Sequence, residues 1–336
     1  MGRSRRLWAA GIVLAIIGCA FAALCLGRFQ VSFREVLAVL LPGAFPGMEI
    51  PANMQKVVLD VRLPRVLLAL AAGAGLSAAG AAFQALFANP LATPDTLGVA
   101  TGASFGAVLG ILFALPAFFI QLSALAAGLL AAGLVYLISK SRRGQGGTVM
   151  MVLAGMVISA LFSALVSLVK YTADPQDVLP AITFWMMGNM QNASWQSLAM
   201  GLPLILSGTL LIFLFRWRLN ALSLPEEEAA SLGIPVRRTR ALAVLGATMA
   251  TASVVSMCGL IGWVGLLIPH IARMLFGSSN KAVVPASIGL GAVFMLAIDT
   301  LARCASTSEI PVSILTAVIG APFFILLLRK SGGVFL

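Results

Sequence analysis

The sequence predicts an all-α, polytopic membrane protein with about ten transmembrane helices. Three observations carry that prediction. Hydrophobic residues make up 60% of the 336-residue chain and charged residues only 10%, giving a mean hydropathy of +1.03. Apolar runs of roughly 20 residues, the length that crosses a bilayer core, recur along it. These runs are rich in Gly, Ala and Leu with no strand alternation. Helices are favoured over a barrel, because a segment away from water must satisfy its own backbone. Residues 1–336 therefore read as one membrane domain.

The expected spans are 7–27, 62–87, 94–114, 116–139, 147–170, 194–216, 239–257, 260–276, 281–303 and 310–329. The first follows Arg3, Arg5 and Arg6 and resembles a secretory signal ending at Cys19. Apolar sequence continues to Leu26, so an uncleaved helix is expected instead. Residues 28–56 are too polar to cross, yet Ser32 and Glu35 have capping-box spacing before an apolar run. That pattern predicts a short helix lying on the outer surface. On the third span Gly102, Gly106 and Gly110 form a face that lets another helix approach closely.

A second outer stretch after the fifth span should hold a short helix near 181–188, after Pro180, with Met186, Met187 and Met190 as adaptable apolar contacts. The eighth span is short and holds Pro269, His270 and Arg273, so it is expected to be broken or buried among other helices. On the ninth, Asp299 and Arg303 stand four apart and should pair on one helical face. Cys19, Cys25, Cys258 and Cys304 lack CxxC spacing and read as small packing residues.

The formal charge of +11 could point to nucleic acid, but its distribution points to a membrane. With loops taken alternately, one side receives Arg3, Arg5, Arg6, Lys140, Arg142, Arg143, Arg216, Arg218, Arg237, Arg238, Arg240, Arg273, Lys281, Arg329 and Lys330. The other receives Arg28, Arg34, Lys56, Arg62, Arg65, Lys170 and Arg303. This asymmetry places both termini in the cytoplasm and needs no nucleic-acid stripe.

Several chemistries are excluded. No lysine follows a glycine, so the chain has no phosphate-binding GxxxxGK[ST] loop and cannot be its own P-loop ATPase. With His270 the single histidine, HExxH zinc chemistry is impossible, and no metal site or catalytic residue is expected. Carboxylates away from helix ends, the usual mark of ion-coupled transport, are nearly absent apart from Asp299. An ion-coupled secondary transporter is therefore the weaker reading, and a pathway driven by an external engine the stronger. The long charged segment 216–240 fits that reading. Arginines bracket a short acidic helix between two spans on the cytoplasmic side, forming a handle for a soluble partner.

Ordered motifs then carry a family likeness. Arg62-Leu63-Pro64-Arg65, Gly80, Gln84, Asn89-Pro90-Leu91-Ala92-Thr93-Pro94, Leu97-Gly98 and Gly102-Ala103 resemble the opening signature of the FecCD-type permeases of ABC importers. Gly262-Trp263-Val264-Gly265-Leu266, Pro269-His270, Arg273, Glu309-Ile310-Pro311-Val312, Thr316 and Gly320-Ala321-Pro322-Phe323-Phe324 resemble its closing signatures. The likeness runs from about residue 30 to the C-terminus. Ala79, Pro225, Trp263 and Ser313 depart from the residues common in the family.

The resemblance implies a type II ABC importer permease fold in a bacterial cytoplasmic (inner) membrane, surrounded by lipid. It implies a homodimer, or a pair with a similar permease, resting on two ABC ATPase subunits that bind ATP and Mg. This chain would bind no cofactor. An extracytoplasmic substrate-binding protein would deliver a metal chelate, iron-siderophore first, with haem or vitamin B12 as alternatives. Glu226, Glu227, Glu228, Ala230, Ser231, Leu232 and Gly233 resemble the helix that couples to the ATPase. Arg62, Arg65 and Arg303 resemble positions that dock the binding protein. Asn89, Pro90 and Leu91, with Thr148, resemble an inner gate.

Overall fold

The structure, a computed structural model, describes residues 2–43, 45, 48, 50–139, 147–224 and 226–330. Ten helices of the bundle coincide with the ten expected spans. They are α1 (Gly2–Cys25), α4 (Leu63–Leu86), α5 (Val99–Leu112), α6 (Ala117–Ser139), α7 (Gly147–Thr172), α9 (Trp195–Phe215), α11 (Val236–Cys258), α12 (Val264–Phe276), α13 (Asn280–Cys304) and α14 (Val312–Lys330). Six described helices are long and apolar enough to cross a membrane, and four shorter apolar helices accompany them. The remaining short helices are α2 (Phe33–Leu40), α3 (Ala52–Lys56), α8 (Val178–Met186) and α10 (Glu226–Ser231).

Both short loop helices form, α2 where its capping box predicts and α8 a few residues early. In α2 the Ser32 amide donates to Glu35 at 2.6 Å while the Glu35 amide donates to the Ser32 hydroxyl at 3.4 Å. Those bonds hold the Glu35 carboxyl below the usual carboxylate range. A depressed value means the charged box is intact at neutral pH and is lost as pH falls through it. In α8, Pro180 lies inside the first turn rather than before the helix, where its missing N–H costs nothing.

Three boundaries differ from expectation. A π-helical stretch, Val57–Arg62, joins α3 to α4, so that helix runs from Ala52 to Leu86 without a break. The third span begins late because Gly98, at φ 69°, separates a tight 3-10 turn, Pro94–Leu97, from α5. The eighth takes the second of its two expected forms, unbroken and with Pro269 buried within a continuous α12, but it starts late because Gly259 and Trp263 both hold positive φ.

Helix α4 is the axis of the molecule, 83% buried over its most apolar window, and α9, α11, α12 and α13 surround it. Backbones touch there. A Cβ on Gly73 would collide with the Gly291 backbone, and one on Gly80 with the Gly265 backbone. The glycine face of α5 does the same work against α6, where a Cβ on Gly106 would strike the Ser123 carbonyl. Because backbone cannot yield as a side-chain tip does, Gly106→Val is expected to cost at least about 1–3 kcal/mol. Thermal unfolding of the detergent-solubilised protein measures it, and an unaltered midpoint would contradict the close packing.

Candidate functional site

Functional features lie at both ends of the bundle and at its middle. At one end, Arg62, Arg65 and Arg303 come together, although Arg62 and Arg65 lie within the continuous Ala52–Leu86 helix and not at its start. They are not an exposed patch, however: relative exposures are 4%, 6% and 8%. The Arg65 side chain donates through Nε to Asp299 at 2.9 Å and through Nη1 and Nη2 to Glu309 at 3.1 and 2.8 Å. Asp299, wholly buried, also lies 3.2 Å from Arg303 Nε, which confirms the pairing expected along α13. Arg303 donates in addition to the Ala23 carbonyl at 3.1 Å. Arg62 donates to Leu24, Cys25 and Phe29 carbonyls.

Arg62 and Arg303 therefore cap the carbonyl-rich end of α1, where a helix leaves its last C=O groups without partners. They also tie it to α4 and α13. Glu309 extends the clasp to α14, whose first amide, on Val312, donates to the Gly188 carbonyl at 2.9 Å. Ser313, a departure from the family pattern, donates its hydroxyl to the Met187 carbonyl. Of the cluster, Glu309 keeps the most surface, with 23% of its side chain exposed.

At the opposite end, α10 stands between α9 and α11 as the predicted handle. Ala229 is fully buried while Leu232 is 66% exposed, so the short helix is rooted on one side and open on the other. Ser231 donates to the Glu228 carbonyl at 2.7 Å. The helix ends because Gly233 turns into the left-handed region at φ 74°, and the Ile234 amide bonds back to the Ala229 carbonyl at 3.2 Å. The side chains of Glu226, Glu227 and Ala230 lie outside the described residues, as does Pro225.

The turn after α4 faces the same end. Asn89 accepts from the Leu91 amide at 2.9 Å, an Asx turn that leaves Asn89 and Leu91 exposed and Pro90 half-buried. Thr148 sits in the first turn of α7, its side chain outside the described residues. After that turn the chain folds back into the bundle. Pro94 packs where a Cβ on Gly265 would lie, beside the Leu76 carbonyl in the middle of α4.

This re-entry brings Asp95 to mid-depth, where the sequence pattern led us to expect no carboxylate. It lines a recess of about 160 Å³ with Thr93, Thr251, Leu260, Trp263 and Leu266. Asp95 is exposed, and it opens on that recess. The signal was present in Pro94 and Gly98, which confine the intervening residues to a non-helical turn, but nothing in a linear pattern gives the depth of that turn.

Comparison with known proteins agrees with this arrangement. The profile of the FecCD transport family matches residues 13–330. The molybdate import system permease protein MolB of Haemophilus influenzae is 40% identical over 321 residues, covering 95% of this chain and 94% of that one. The Fe(3+) dicitrate transport system permease protein FecD of Escherichia coli is 35% identical, covering 95% and 97%. A solved structure of an inward-facing, metal-chelate type ABC transporter superposes with a TM-score of 0.85 at 38% identity, over 95% of this chain and 98% of that one.

Proposed function

Because this chain belongs to the FecCD transport family and is a non-catalytic, multi-pass ABC importer permease, we propose that it carries a metal chelate inward, an iron-siderophore foremost, under the drive of two separate ATPase subunits. The observation that carries the coupling half of this reading is α10, a short helix rooted at Ala229 and open at Leu232 between two spanning helices. Such a projection is stiff enough to transmit a push and exposed enough to receive one. The basic residues on the α10 side support a cytoplasmic location for that end, both termini and the Asn89–Leu91 turn, in a bacterial inner membrane. That turn, with Thr148, acts as the inner gate.

A second copy of the chain completes the pathway. Helix α7 offers a broad apolar face through Leu153, Met156, Val157, Leu161 and Leu168, each at least 50% exposed, and Val318 and Leu326 on α14 are exposed likewise. Haem and cobalamin remain alternative cargoes. Molybdate is a further one, favoured by the relative at 40% identity. Uptake into vesicles holding the permease, ATPase and binding protein, assayed with ferric hydroxamate, haem, cobalamin and molybdate, tests the cargo. Saturable uptake of ferric hydroxamate is expected, and uptake of molybdate alone would overturn the assignment.

Docking of the binding protein is assigned to Arg62, Arg65 and Arg303, with a condition that the clasp imposes. The Arg65 guanidinium fork is occupied by Glu309, so an incoming carboxylate must displace it. Glu309→Gln should therefore tighten association several-fold, most strongly at low ionic strength where screening is weakest. Titration of labelled binding protein onto the reconstituted complex measures this. Unchanged affinity at low salt would leave the arginines with a structural role only.

A further inference from the structure

The carboxylate of Asp95, exposed in that recess, makes no hydrogen bond or ion pair with the described residues, whereas the buried Asp299 has two arginines. An ionised carboxylate that opens on a recess with no counter-charge beside it is free to accept from a cation or donor that enters. A second wall of the same recess repeats the anomaly. Thr251 on α11 is 1% exposed, and its hydroxyl has no partner among the described residues. A helical threonine ordinarily bonds the carbonyl one turn back. Thr239, Thr248 and Ser253 on that helix also lack partners among the described residues, but of the four only Thr251 lines the recess.

The rest of the wall is Thr93 with apolar side chains and backbone, Leu76, Val255, Ile261, Trp263 and Leu266 among them. No lysine or arginine lines it. A space of about 160 Å³ holds several waters or one small charged group, but not a whole chelate.

We propose that this recess is a station for a cationic or hydrogen-bond-donating group of the transported solute, with the Asp95 carboxylate and the Thr251 hydroxyl as its acceptors. The proposal rests on the reading of the chain as a metal-chelate permease and narrows it. A solute presenting an ammonium, amide N–H or hydroxyl group gains a partner here. A bare oxyanion such as molybdate meets an uncompensated negative charge, so the station selects against it.

Local charge can be read directly with thiol reagents. In full-length protein in lipid vesicles, with Cys19, Cys25, Cys258 and Cys304 replaced by alanine, Leu260→Cys places a reporter thiol on the recess. A cationic trimethylammonium methanethiosulfonate is expected to react faster than its anionic sulfonate counterpart. Adding Asp95→Asn should lower that rate ratio about tenfold. Adding the binding protein loaded with ferric hydroxamate, with ATPase and ATP, should slow the cationic reagent.

An unchanged ratio, or no reaction with either reagent, overturns the proposal. So does slowing by sodium in place of choline without cargo, which would assign the site to an inorganic cation. If the cysteine-replaced chain does not insert, uptake by the otherwise unaltered complex decides. Asp95→Glu should retain ferric hydroxamate uptake and Asp95→Lys should lose at least tenfold with assembly intact, and equal uptake by Asp95→Lys and its parent overturns the proposal. Failure to bind any ATPase subunit would sink the functional reading, yet the ratio of thiol rates would still report the charge of the recess.

Discussion

Replacing Asp299 by alanine is expected to destabilise the protein by about 3–5 kcal/mol, the range for removing one partner of a buried ion pair. The cause is what remains behind. Asp299 is the shared acceptor of Arg65 and Arg303, both buried, and its loss leaves two guanidinium groups facing each other. Glu309 still holds the far side of Arg65, whereas Arg303 keeps only carbonyls and the Thr300 hydroxyl. Asp299→Asn should fall between the parent and the alanine variant, because an amide accepts a hydrogen bond but supplies no charge. Thermal unfolding of the purified protein ranks the three. A midpoint for Asp299→Ala within a degree of the parent would mean that the clasp contributes nothing to the fold.

The second large effect is expected at the handle. Gly233→Val forces a β-branched residue into the left-handed region, at a cost that only glycine escapes. Nothing lies within 4 Å of the added Cβ, so the substitution acts through backbone strain at the end of α10 and not through a clash. The spanning helices should therefore insert normally while α10 loses its termination and its aim. Combined Glu226→Lys and Glu227→Lys substitutions reverse the charge of the same helix. Both variants are expected to lower ATP-driven uptake at least tenfold, with vesicle insertion unchanged. Assembly with the ATPase subunit and uptake are measured side by side. Normal values for both would remove α10 from the coupling role.

Much of this was legible in the sequence because it is local. The ten apolar runs, the Ser32–Glu35 box, the glycine face of α5 and the Asp299–Arg303 pair all follow from spacings of a few residues. What was not legible depends on groups far apart in the chain. Arg65 meets Asp299 across 234 positions, so a sequence that marks both as charged residues near helix ends cannot show that each buries the other. The arginines accordingly read as docking residues, with no sign of their burial. Asp95 was missed for a related reason. Hydropathy counts it at the end of a span, but re-entry of the chain after Asn89 carries that end to the middle of the bundle.

The central claim is that this chain forms the pathway and a separate ATPase supplies the work. It is tested most directly by nucleotide hydrolysis and solute uptake in vesicles containing the purified chain alone, then with its ATPase subunit, then with the loaded binding protein. The chain lacks a phosphate-binding loop, so alone it should hydrolyse nothing, and ATP-dependent uptake should appear only when all three are present. Hydrolysis by the isolated, contaminant-free chain, or uptake driven by a proton or sodium gradient without ATP, would contradict the account.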